Sequence, residues 1–171
     1  VDDFLAAFEA APADASLLAD EVARHDFRYR RLAPAERDAI ILTVLRKLDD
    51  LTQVGAHRQG IWQAAWADVA QRYDASGGDL TALEPAFIGA TRYIRLAGDY
   101  AEPLAPGFEF DYFRVLRRWL FARYLADADF VYEFGCGSGF NLVEFARLGP
   151  GKRLVGLDWA EAAVDLIGRF A

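Results

Sequence analysis

Methionine is absent from the 171-residue chain, even at position 1, and cysteine occurs once, at Cys136. A missing initiator implies that the N-terminus has been processed or trimmed, or that modified methionines have dropped out of the sequence as written. A lone cysteine excludes an intrachain disulfide. Histidine is scarce too: His25 and His57 are the only two, neither has a partner at ligand spacing, and so no metal site is supported. No apolar run approaches the roughly 20 residues of a membrane span. No basic-then-apolar signal segment opens the chain, so a cytoplasmic protein that does not engage a membrane is expected. Basic charge is also in deficit, with 19 Lys and Arg against 26 Asp and Glu and a net charge of −7. That field repels polyanions and disfavours nucleic acid as a partner.

What remains is the composition of a globular protein with a substantial core, 54% hydrophobic and 26% charged. The length suits one domain, or one domain with an extension. The most informative stretch is 130–158. Phe130-Val131-Tyr132-Glu133-Phe134 has the look of a strand, Gly135-Cys136-Gly137-Ser138-Gly139 of a tight turn, and Asn141 to Leu148 of a helix. Three glycines in five residues let the backbone turn sharply and let a ligand lie against the main chain beside the first N–H groups of the helix. After Gly149-Pro150-Gly151, a second strand, Arg153 to Leu157, ends on Asp158. An acid about 20 residues past the glycines is where a nucleotide-binding β-α-β unit holds ribose hydroxyls.

Spacing separates the candidate ligands. A dinucleotide fingerprint needs glycine at 140, where Phe140 stands, which disfavours a nicotinamide or flavin cofactor. A phosphate loop fails at Ala146 and Arg153. The stretch Glu133-Phe134-Gly135-Cys136-Gly137-Ser138-Gly139, with Asp158 closing the next strand, resembles the S-adenosylmethionine-binding motifs of the class I methyltransferases, over about a quarter of the chain. The resemblance implies that Gly135, Gly137 and Gly139 lie along the cofactor's methionine and ribose. It further implies that Glu133 helps hold the methionine end and that Asp158 takes the ribose hydroxyls. Gly137→Val is then expected to block the cofactor while sparing the fold, because the turn would border a cleft. Cys136 invites a reactive-thiol reading, but no histidine lies near it in sequence and the glycines already account for the loop.

The rest of the chain reads as helical. Short helices are expected at 2–10 and 14–24, followed by a basic aromatic cluster, His25 to Arg31, taken as an exposed loop. Pro34 opens a helix whose Ile40, Ile41, Val44, Leu45 and Leu48 repeat at helical spacing, as a core helix would. Asp49-Asp50 after it reads as a solvated helix end rather than a pair of converging carboxylates. A further helix, 58–73, carries Trp62 and Trp66 on one face, suited to packing on another helix or to stacking on a flat substrate. Residues 86–101 fit no regular pattern. A helix over 111–127 then presents Phe113, Leu116, Leu120, Phe121 and Tyr124 inward. Residues 160–170 form a last amphipathic helix.

These readings combine into an α/β protein with a helical region, 1–128, and the first β-α-β-α unit of a Rossmann-like S-adenosylmethionine-binding domain, 129–171. The methyltransferase sheet implied by the resemblance is incomplete at two strands, so the chain alone is expected not to catalyse methyl transfer. The expected function is methylation of a small-molecule or carbohydrate acceptor, with the helical region as a lid or homodimer surface and with no catalytic residue assigned. An NAD(P)-dependent oxidoreductase and a non-catalytic, truncated interaction module are the alternatives.

Overall fold

The structure, a computed structural model, describes residues 1–53, 55–89 and 92–170. Ala171, the last residue of the expected β-α-β-α unit, lies outside them. The architecture is mixed α/β, and the chain folds into two compact units, each assembled from two separate stretches. One takes Val1–Asp50 and Ile88–Leu120; the other takes Leu51–Phe87 and Phe121–Ala171. The boundary expected at 128/129 thus falls inside the second unit, which recruits residues 51–87. Among the described residues no helix is long and apolar enough to cross a membrane.

The first unit contains α1 (Asp2–Phe8), α2 (Ala15–Val22), β1 (Tyr29–Arg31), α3 (Pro34–Leu48), β2 (Ile94–Leu96), β3 (Asp99–Pro103) and, after the second unit's α4 (Gln59–Ala75), α5 (Phe108–Leu120). The strands form an antiparallel sheet in the order β1-β3-β2. The β2–β3 hairpin, inside the stretch that showed no regular pattern, turns on Ala97 and Gly98 at φ 49° and 84°. Positive φ at both central residues is the two-residue turn whose twist matches paired strands. Phe4, Leu18, Val115 and Trp119 form one apolar cluster, and Ile94, Leu96, Ala101 and Phe108 another. Phe27 joins them edge-on, 4.7 Å from Phe4 and 5.1 Å from Phe108.

Three expectations change in this unit. The His25–Arg31 cluster is not a plain loop: Tyr29–Arg31 pairs with β3, and Arg30 bonds both Glu36 (2.7 Å) and Glu102 (2.9 Å). The bond from Arg30 first, and that from the Ala33 N–H second, hold the Glu36 carboxyl down at about 2. His25, expected in solvent, sits with Nδ1 3.1 Å from Asp111. The helix opened by Pro34 forms, with the Glu36 carboxylate accepting the Ala33 N–H at 2.8 Å, but no residue of α3 is buried. Its periodicity describes an apolar stripe that the unit leaves exposed, not a core helix. The single helix expected over 111–127 is α5 up to Leu120, with a π-helical turn, Phe121–Leu125, after it in the second unit; in α5 the buried residues are Phe108, Val115 and Trp119, whereas Leu120 is exposed. Of the expected inward residues Leu116 does pack against the cluster of Phe4, Leu18, Val115 and Trp119, but the fully buried positions fall beside it, because apolar residues occupy more than one side of the helix.

The second unit contains α4 (Gln59–Ala75), β4 (Phe130–Phe134), α6 (Phe140–Leu148), β5 (Arg153–Leu157) and α7 (Glu161–Ile167). β4 and β5 run parallel, with Phe130 opposite Arg153 and Phe134 opposite Leu157. Among the described residues this sheet has two strands. Alternation along β4 sends Phe130, Tyr132 and Phe134 to one face, where all three are exposed. The core joins α4 to α7 through Val69, Ala70, Leu83 and Leu166, with Trp66, Phe140, Val143 and Phe170 packed around them. The Ala162 N–H, at the start of α7, donates to the Gln63 side chain at 3.1 Å.

Candidate functional site

The strand alternation that exposes the β4 aromatics turns Glu133 to the opposite side, where its Oε1 accepts from Asn141 Nδ2 at 2.7 Å. One residue after β4 the chain reverses through Gly135, Gly137 and Gly139, at φ 70°, 53° and 71°. Residues with a Cβ rarely adopt this region, so the turn itself requires glycines there. The N–H groups of Gly135 and Cys136 donate to the Leu157 carbonyl, at 2.7 and 3.2 Å, which ties the turn to the end of β5. Gly139 is then the N-cap of α6.

Asp158 is the next residue. Its Oδ2 accepts the Gly137 N–H and its Oδ1 the Ala160 N–H, each at 2.8 Å. One carboxylate therefore fastens the glycine turn to the start of α7. The five residues singled out in the sequence, Glu133, Gly135, Gly137, Gly139 and Asp158, belong to one loop cluster at the carboxyl ends of two parallel strands. That is where open α/β sheets bind ligands.

Cys136 is buried in the same turn. A Cβ on Gly156 would lie 2.7 Å from its sulfur, so glycine at 156 is what lets Cys136 pack on β5. Burial first, then the charges of Glu133 and Asp158, push the thiol up to about 11. It is a packing residue whose thiol stays protonated at neutral pH. His57 bonds the Thr52 carbonyl at 2.7 Å, and among the described residues no group of three or more His, Cys, Asp and Glu side chains could hold a metal.

Two features had no signal in the sequence. Trp66 lies against the turn: a Cβ on Gly137 would stand 2.6 Å from Cη2 and Cζ2 of its indole. Ile167 and Phe170 press on Gly139 in the same way, at 3.1 and 3.2 Å. The turn is thus packed as well as poised, and Gly137→Val would disturb the fold, contrary to the expectation that the substitution spares it. Trp62 stacks on Trp66, ring centres 6.2 Å apart, and Phe87 meets both edge-on. The tryptophan pair therefore serves packing, and Trp66 also lies next to the glycine turn.

No family model, curated protein or solved structure matches the chain.

Proposed function

We propose that this chain supplies part of the cofactor site of an S-adenosylmethionine-dependent methyltransferase acting on a small-molecule or carbohydrate acceptor, through a Rossmann-like unit that starts at β4, and that with two strands of that sheet it does not catalyse the transfer alone. The observation that carries the reading is the hydrogen bond from the Gly137 N–H to Asp158. It brings a three-glycine turn and a carboxylate together at the ends of adjacent parallel strands, the arrangement that accommodates a nucleoside. When bound, the cofactor supplies an electrophilic methyl on a sulfonium sulfur.

The chain's residues hold the cofactor and do not react with it. A carboxylate offers about four lone-pair directions, so Asp158, which accepts two N–H groups, retains capacity for two ribose hydroxyls. Glu133, steered by Asn141, offers negative charge to the ammonium group of the methionine end. Gly135 has open space where a Cβ would project and admits close approach. At Gly137 the fit depends on Trp66, whose indole takes the corresponding space. The helical stretches serve as a substrate lid or a dimer surface.

Calorimetric titration with S-adenosylhomocysteine and with NAD tests this reading, and radiolabelled methyl transfer to a panel of small hydroxylated and amino acceptors, run on residues 1–171 beside a longer natural form, is expected from the longer form alone. S-adenosylhomocysteine is expected to bind and NAD is not. Preferential NAD binding would move the reading to hydride transfer, and binding of neither would leave an interaction module.

A further inference from the structure

The glycine at 137 keeps a path to the main chain open, yet an indole fills it. Cys136, Gly137, Ser138 and Gly139 are all buried, and only Gly135 of the turn is exposed. A ligand that reaches the Gly137 backbone has to move Trp66 first.

Room to move it exists in the same unit. Trp66 also lines a cavity of about 290 Å³, walled by Val69, Pro85, Ala86 and Phe87 with Asp68 and Arg72. A cavity of roughly 150 Å³ already accommodates a benzene ring. The polar part of this wall is engaged within itself. Arg72 bonds Asp68 at 3.2 Å and donates to the Glu84 carbonyl at 3.3 and 3.2 Å. What faces the space is chiefly apolar, and this suits a flat aromatic ring better than a polar ligand. Phe87, 6.1 Å from the Trp66 ring and inclined at 67°, offers an edge contact on that side. A change of staggered rotamer is the elementary motion by which an indole relocates.

We propose that Trp66 is a gate over the glycine turn. Closed, its indole occupies the approach to Gly137; open, it lies in the Phe87 cavity and exposes the turn to the cofactor. The proposal rests on the methyltransferase reading. A ligand that binds only the open form has its affinity reduced by the fraction of molecules that are open, so with one in ten open, removing the indole tightens binding about tenfold.

The test uses protein carrying 5-fluorotryptophan, with the fluorine signals of Trp62, Trp66, Trp119 and Trp159 assigned by single Trp→Phe variants. S-adenosylhomocysteine is titrated in, and calorimetry compares the wild type with Trp66→Ala. The expected result is a shifted Trp66 signal, an unmoved Trp119 signal, and about tenfold tighter binding by the variant. If the ligand binds the wild type while the Trp66 signal stays fixed, the gate is overturned and the methyltransferase reading stands. Equal or weaker binding by a variant that melts cooperatively also overturns it; if the variant does not fold, the wild-type signal decides. Should neither protein bind, the methyltransferase reading falls and the gate falls with it.

Discussion

Asp158 connects two backbone segments before any ligand arrives, because its oxygens accept N–H groups from Gly137 and Ala160. Replacement by alanine therefore removes a structural clamp and a proposed ribose contact together. Asp158→Ala is expected to cost about 1.5–3 kcal/mol of cofactor affinity, roughly ten- to a hundredfold. Calorimetry with S-adenosylhomocysteine reads this, on samples whose thermal melts show a folded variant. An unchanged dissociation constant would remove Asp158 from the site. Cys136 gives a separate prediction. Its thiol is held up at about 11 against an ordinary 9.0, so between those pH values the native protein keeps a proton that the unfolded chain has lost. Stability is then unaffected by this group below pH 9 and falls as pH rises toward 11. Cys136→Ser should flatten that alkaline decline in urea melts run across the interval, and alkylation of the native wild-type thiol at pH 8 should be slow. Rapid alkylation of the folded protein would contradict the buried, protonated thiol.

At the scale of elements, what the sequence revealed and what it concealed divide along a physical line. The strand Phe130–Phe134, the helix of 140–148, the strand Arg153–Leu157 and the helix opened by Pro34 were all legible, because alternation, helical spacing, a proline and paired glycines are local signals. The hairpin at Ile94–Pro103 was not. Its strands are three and five residues long, too short to set a period, and its turn begins with Ala97 instead of a customary Asn or Gly. The glycines and Asp158 were picked out by local spacing and Glu133 by the family resemblance, while the contact of Trp66 with Gly137 was not legible, since nothing in a sequence reports a contact between remote segments. Periodicity also failed to separate a buried stripe from an exposed one. Leu45 on α3 is half exposed at 50%, whereas Leu18 on α2 is fully buried. Leu45→Ala should change stability by no more than about 0.5 kcal/mol, and Leu18→Ala should cost about 2–5 kcal/mol. Urea denaturation of both variants measures the contrast; a loss at Leu45 comparable to that at Leu18 would show that α3 is covered in solution.

For the whole molecule, the consequential fact is that the β-α-β segment does not carry its own core. In the second unit, Leu166 of α7 and Phe140 and Val143 of α6 pack against Val69, Ala70 and Trp66 of α4, and the α7 start is held by Gln63. All of those α4 partners precede β4 by more than the whole length of the unit's later stretch. A two-stranded parallel sheet has little stability by itself, since such sheets persist when helices cover them. Residues 121–171 expressed alone should therefore remain largely unfolded, although they contain both strands and the whole glycine turn. Adding a synthetic peptide of residues 51–87 should restore the missing core and give a cooperative thermal transition with a gain in helical circular dichroism beyond the sum of the two parts. A peptide carrying Val69→Asp should not, because it would place a charge in the 2% exposed position at the centre of that core. Folding of 121–171 without the peptide would mean that the sheet is stabilised by contacts other than those with α4. It would also mean that the expected boundary near residue 128 marks an autonomous unit.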